Sequence, residues 1–245
     1  MTYAMSDIHG CYDKYTAMLD KINFNDKDIL YVLGDVLDWG PQPIEVLRDM
    51  SMRHNIIPII GNHEYAAHEI LKQLQLVEIT PEGIKKKAGS DINIETFAFE
   101  VQTWLDIGGE HTMQGFLKLP QDERDFLLEY LEDFSLYEMI NIQRKKYILT
   151  HIGLPKGAAL NHLDCFDAYD FVADPDTDTD YGKQYFKDIF FVTGHVPTFN
   201  LGEAYRGRIY REHNHIALDT GAVFIDKSGG IMGCICLETD EEYYV

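Results

Sequence analysis

Apolar residues along this 245-residue chain fall into two kinds of run. The first kind is short, rich in branched and aromatic residues, and stops at once in polar or glycine-rich chain. It predicts strands over about 2–6, 29–33, 56–60, 146–150, 189–193, 215–218 and 231–237. The second kind repeats at helical spacing. Residues 11–22 place Tyr15, Met18, Leu19 and Ile22 on one side, and 43–50 carry Ile44, Val46 and Leu47 with Glu45 and Arg48 outward. A third helix over 121–134 sets Phe126, Leu127, Tyr130, Leu131 and Phe134 behind an acidic first turn, Asp122 and Glu123. The stretch from about 64 to 140 leans helical, broken at Pro81 to Gly83 and at Gly108 and Gly109. We read it as a helical insertion between two halves of a sheet, within a single domain spanning 1–245 of the α/β (α+β) class.

Charge narrows the range of partners. With 21 basic and 41 acidic residues the formal net charge is −20. Such a surface repels phosphate backbones and anionic lipids, which argues against broad nucleic-acid or membrane binding. A small phosphorylated substrate stays compatible if a metal centre locally reverses the field. No apolar run approaches the ~20 residues that span a bilayer, and the first residues lack a signal-peptide pattern. Of the four cysteines, Cys11, Cys165, Cys234 and Cys236, none forms a CxxC pair, and the last two alternate within a predicted strand. The expectation is a reduced, cytoplasmic protein. Lys85 to Lys87 reads as a solvated loop. The acidic run 174–180 lacks the glycine and the glutamate of a calcium loop, since Thr179 and Tyr185 stand there.

Five predicted strands end in metal-competent residues. The first runs into Asp7, His9 and Gly10, the second into Gly34, Asp35 and Asp38, and the third into Gly61, Asn62, His63 and Glu64. The fourth ends at His151 and the fifth at Gly194 and His195. In open α/β sheets the loops at the carboxyl ends of strands converge on one edge, where ligands bind. Asp7, His9 and Asp35 suit one divalent ion, and Asp35, Asn62, His151 and His195 a second, with Asp35 shared. Mixed carboxylate, amide and imidazole donors without thiolate suit two divalent metal ions, Mn²⁺ first, with Fe or Zn²⁺ as alternatives. Two such ions would make a bridging hydroxide the nucleophile and clamp a phosphoryl centre. His63 is placed to act as general acid, oriented by Asp38.

The order of these blocks resembles the calcineurin-like metallophosphoesterases, and more narrowly the phosphoprotein phosphatase group with its bacterial and phage serine/threonine members. Trp104, Gly108, Gly109, Thr112, Leu119 and Pro120 are similar to the helical segment of the bacterial members, and Leu218 to Ala222 to their late Asp-Thr-Gly turn. The resemblance implies a four-layer fold, a central β-sandwich flanked by helices. It also exposes a departure. The family's second block carries an arginine that holds phosphate, and Trp39 stands there instead; a second phosphate-binding arginine has no counterpart, because 152–194 contains no arginine. Arg206, Arg208 and Arg211 are the remaining candidates for substrate contact, with Trp39.

The main expectation is therefore a dinuclear-metal phosphomonoesterase of the serine/threonine protein phosphatase type, acting on phosphorylated protein or a small phosphoester. The alternative is a symmetrical diadenosine tetraphosphate hydrolase or nucleotide phosphodiesterase. Trp39 would then stack a base, although it could equally pack beneath its own loop. A non-catalytic scaffold descended from the same fold would have lost a ligand or the acid, and none is missing.

Overall fold

The computed structural model describes residues 1–80, 83–174, 177 and 179–245. Strands β1 (Thr2–Met5), β2 (Ile29–Leu33) and β3 (Ile56–Ile59) run parallel, with Tyr3 opposite Leu30 and Leu33 opposite Ile59. The late strands β11 (Gly233–Cys236) and β12 (Glu242–Tyr244) add antiparallel to the β1 edge, giving a first sheet ordered β12-β11-β1-β2-β3. The second sheet is ordered β6-β7-β8-β10-β9, from β6 (Glu138–Ile142), β7 (Lys145–Leu149), β8 (Ile189–Thr193), β9 (Tyr210–Glu212) and β10 (His215–Ala217).

Period-two alternation divides each strand's residues between two faces. On one face of the first sheet Ala4, Tyr31, Leu33, Ile235 and Leu237 pack against Ile142, Tyr147, Leu149, Val192 and Ile216 of the second. The intervening residues Tyr3, Met5, Leu30, Val32, Cys234 and Cys236 point the other way, toward α1 (Tyr12–Lys21) and α2 (Pro43–Ser51). Both cysteines are thus buried face residues, as expected, and all four cysteines are free. The sandwich expected from the family resemblance is present. The outer face of the second sheet is covered differently, by irregular chain: Tyr181 stacks on His215, and Tyr185 and Phe186 pack on Phe191.

Between β3 and β6 lie α3 (Asn62–Leu74), α4 (Ile94–Asp106), α5 (Glu110–Leu117) and α6 (Gln121–Glu132), sharing a core of Ile70, Leu71, Phe97, Trp104, Phe116 and Leu127. The segment is not wholly helical. A hairpin pairs β4 (Val77–Thr80) with β5 (Gly83–Lys86), with Glu78 opposite Lys85, so the lysine run lies largely in a strand and not in a loop. Glu78 opposite Lys85 fits a solvated two-stranded ribbon, in which opposite charges pair across the strands. The turn residues 81 and 82, and 175, 176 and 178 of the acidic run, lie outside the described residues. Short helices α7 (Ala168–Val172) and α8 (Ile225–Ser228) complete the fold.

Candidate metal centre

The residues at the carboxyl ends of β1, β2, β3, β7 and β8 meet where the two sheets abut. Several are presented by turns that ordinary residues resist. Eleven non-glycine residues among those described have positive φ, and six of them, Asp7, His9, Asp35, Asp38, Trp39 and His195, belong to this one place. Left-handed backbone persists in such residues only where the surroundings impose it, and it clusters at functional sites. Glycines keep the walls thin. A Cβ on Gly61 would fall 2.3 Å from Asp35 Oδ1, and one on Gly194 would fall 1.9 Å from Ser6 Oγ and 2.5 Å from Asp7 Oδ2.

Asp35 is the hub. Its Oδ1 lies 3.2 Å from His151 Nε2, and its Oδ2 lies 3.7 Å from His9 Nε2 and 3.9 Å from His63 Nε2. His9 Nε2 is also 3.9 Å from Asp7 Oδ1, and Asn62 Oδ1 sits 3.0 Å from His151 Nε2 and 2.9 Å from His195 Nδ1. Two groups of donors emerge, His9 with Asp35 and His63, and Asp35 with His151 and His195, each within 4.8 Å. All six residues expected to hold metal are therefore brought together. Distance alone also admits His63 to the first group.

The donors fit divalent ions. The far nitrogen of each buried imidazole is already engaged: His9 Nδ1 lies 2.9 Å from Leu37 O, and His151 Nδ1 lies 2.7 Å from Leu33 O. Such carbonyl contacts fix the tautomer that leaves Nε2 free to ligate. The electrostatics ask for a cation as well. Burial, reinforced by Asp35, outweighs nearby His151 and pushes the Asp7 carboxyl up to about 7. Burial would raise Asp35 too, but His151, His63 and His9 outweigh it and hold its carboxyl well below the usual range. Asp219, in the late turn, is raised well above its ordinary value by burial and by Asp7.

His63 is set apart from the metal-facing imidazoles by its second nitrogen. Nδ1 lies 2.8 Å from Asp38 Oδ2, and Asp38 is fully buried. Asp38 is itself held by two residues of the insertion: Trp104 Nε1 donates to Oδ2 at 2.8 Å, and Thr112 Oγ1 donates to Oδ1 at 2.6 Å. Burial alone would lower His63; Asp35 and Asp38 override it and lift the imidazole to about 9. Glu64 does a different job. Its buried carboxylate accepts from the backbone N–H of Asp35, Val36, Leu37 and Gly61 at 2.8 to 3.0 Å, tying the β2 and β3 turns together.

Glu64, Trp104 and Thr112 belong to the motifs, yet nothing in their spacing assigns them these contacts. A glutamate as third residue of a helix is a capping signal, so Glu64 was partly legible. Trp104 and Thr112 lie 66 and 74 positions from Asp38, and only the packing of the insertion brings them near. The candidate arginines sit elsewhere. Arg211 pairs with Asp240 and Glu242, and Arg206 binds the carbonyls of Asp226 and Lys227. Arg208 is exposed. Among the described residues none of the three is hydrogen-bonded or ion-paired to the donor cluster.

A family model for calcineurin-like phosphoesterases matches residues 2–220. The chain belongs to this family. That family is described as one of phosphoesterases, and the two donor groups above are of the kind that could hold divalent ions. A curated relative from Wigglesworthia glossinidia brevipalpis, a symmetrical bis(5'-nucleosyl)-tetraphosphatase, is 47% identical over 64 residues, 25% of this chain and 24% of the relative. The match thus spans about a quarter of that protein's length. Among solved structures, a candidate diadenosine tetraphosphatase superposes with a TM-score of 0.63 at 17% identity, over 100% of this chain and 92% of that one. A serine/threonine phosphatase from Saccharomyces cerevisiae gives 0.56 at 14% identity, covering 100% and 78%. At such identities these likenesses establish the fold. No helix among the described residues is long and apolar enough to cross a membrane.

Proposed function

We propose that this chain hydrolyses dinucleoside polyphosphates, diadenosine tetraphosphate first among them, and not phosphoserine or phosphothreonine in proteins. The order of the two readings drawn from the sequence is thereby reversed. The observation that carries the substrate class is the 47% identical stretch shared with a symmetrical bis(5'-nucleosyl)-tetraphosphatase. Trp39 in place of a phosphate-holding arginine agrees with it, because a bidentate grip on a terminal dianion is then absent from that position.

In this reading Asp7, His9 and Asp35 would hold one divalent ion, and Asp35, Asn62, His151 and His195 the other, with Mn²⁺ preferred over Fe or Zn²⁺. Bound ions would supply Lewis-acid polarisation of the phosphoryl group and acidify water. His63, charged at neutral pH, presents Nε2 to the cluster and gives its proton to the departing phosphate oxygen. Asp38 keeps that imidazole in one orientation and stabilises its charge, and Trp104 and Thr112 keep Asp38 itself from turning away. The substrate is a small soluble phosphoester, and the enzyme works in the cytoplasm.

Product analysis tests the proposal. Mn²⁺-loaded protein should convert diadenosine tetraphosphate to two molecules of ADP, and act slowly on a phosphoserine peptide. Efficient dephosphorylation of the peptide with no cleavage of the dinucleotide would return the protein phosphatase reading to first place.

A further inference from the structure

Beside His63, on the solvent side, stands a group of aromatic rings for which the hydrolytic chemistry has no use. Trp39 is 42% exposed. Single exposed apolar side chains are ordinary on protein surfaces, but this one is held in place against its own preferences. Its backbone is left-handed, with φ of 59°, and is fixed at both ends: the N–H donates to Gly108 O at 2.9 Å, and the carbonyl lies 3.2 Å from His111 Nδ1. The indole lies directly on Gly108, where a Cβ would come within 2.6 Å of Cδ2. One face of the ring is therefore covered by glycine.

The ring is not alone. Trp39 is 6.5 Å from the His63 ring and 6.4 Å from Phe224, centroid to centroid, and Phe199 backs Phe224 edge-on at 5.7 Å. Lys227 Nζ lies 5.7 Å from the Phe224 centroid and 5.6 Å from that of Phe199. Trp39 comes from the turn after β2, while Phe224 and Lys227 follow the turn after β10, so the group spans the ends of both sheets. On a chain of net charge −20, a lysine at this rim is a local complement to phosphate.

We propose that Trp39 and Phe224 form a stacking subsite for a purine base, with Lys227 at its rim for the phosphates beyond the one being attacked. The inference rests on the dinucleoside polyphosphate reading above and specifies how that site would grip its substrate. Distance selects the base over other rings. A ring bonded directly to the attacked phosphate, as in a phosphophenol, would lie against His63 itself. In symmetrical cleavage the base is carried one phosphate and one sugar beyond the attacked phosphorus, past His63, to the Trp39–Phe224 pair. Every base offers a π face, and aromatic platforms contribute about 5- to 150-fold per stacked base.

The chain has two tryptophans, and Trp104 is buried, so a ligand at the surface reports through Trp39. AMP should quench tryptophan fluorescence saturably in Mn²⁺-loaded and in chelated protein, and ribose 5-phosphate should not. Phe224→Ala should weaken AMP binding about tenfold and raise KM for diadenosine tetraphosphate by a similar factor relative to p-nitrophenyl phosphate. Phe224→Tyr should restore both, and melting curves would confirm that each variant folds. Lys227→Met should weaken ADP more than adenosine. Quenching by phosphotyrosine but not AMP, or equal KM changes for both substrates in Phe224→Ala, overturns the subsite. Cleavage of the dinucleotide with no AMP quenching overturns the subsite and leaves the substrate reading intact. Saturable AMP quenching in a protein that does not cleave the dinucleotide supports the subsite and rejects that reading.

Discussion

The two sheets of the sandwich share a core but reach the metal centre by different means. The first sheet supplies Asp7, His9, Asp35 and Asn62 from consecutive parallel strands, and its outer face is closed by the amphipathic helices α1 and α2. The second supplies His151 and His195, and its outer face is closed by stacked rings, with His215 between Tyr181 at 4.8 Å and Phe191 at 5.1 Å. The first half is rigidified by backbone hydrogen bonds to one carboxylate, Glu64. The second half meets it through a glycine, Gly194, where a Cβ would collide with Ser6 and Asp7. A donor cluster at a seam thus depends on a stiff half that holds most donors and on a close-fitting half that completes them.

The strongest way to break this arrangement is to remove what joins the halves. Chelation should reduce hydrolysis to background and lower the melting temperature, and Mn²⁺ should restore both, since ions that bind only the folded state stabilise it by mass action. Full turnover in exhaustively demetallated protein would contradict the metal-centre assignment. Next in size is His63→Asn, for which turnover should fall roughly 10²–10⁴-fold while metal content, measured by elemental analysis, stays close to that of the parent. Asp38→Asn should give a weaker copy of that loss.

Two substitutions then distinguish the halves. Glu64→Gln should cost about 3 kcal/mol, because a buried charged acceptor shared by four N–H groups is replaced by a neutral amide. Chemical denaturation reads that loss. On the second sheet the sensitive variable is pH. Burial lowers His215 to about 4, and its Nδ1 has no hydrogen-bond partner among the described residues. The unfolded chain binds the proton near 6.5 and the folded one only near 4, so this contribution is complete above pH 6.5. It is lost as the pH falls through that window, by up to about 3 kcal/mol. His215→Phe keeps a ring between Tyr181 and Phe191 and should flatten the acid limb of the stability profile. An unchanged slope would place the proton uptake elsewhere. The smallest effect is expected for Gly194→Ala, where overpacking costs about 1–3 kcal/mol, read as a lower melting temperature and weaker metal retention.

Much of the first half was legible in advance because its signals are local. Strands β1, β2 and β3 are short apolar runs with a donor immediately after each, and helices α1 and α2 show plain 3.6-residue periodicity. The second half was harder to read. Strands β6 and β9 of that sheet, like β12 at the edge of the first sheet and the β4–β5 hairpin of the insertion, are not predicted, since three- to five-residue edge strands with polar residues carry little periodic signal. The substrate side was least legible. Arg206 and Arg211 were reasonable candidates by elimination, but ion pairs and carbonyl contacts that no spacing encodes hold them to other partners.

Residue type and order along the chain were enough to determine the family, the residues that meet in the donor cluster and the pairing of His63 with Asp38. Each of these depends on a donor placed within a residue or two of a strand end, which is a property of local sequence. Which face of each strand meets the other sheet, that Trp104 and Thr112 hold Asp38, that Glu64 binds two turns at once, and that Phe224 stands beside Trp39 were decided by tertiary structure alone. Those contacts join positions tens to hundreds of residues apart, and only close packing of the sandwich against its helical insertion gives them a common location.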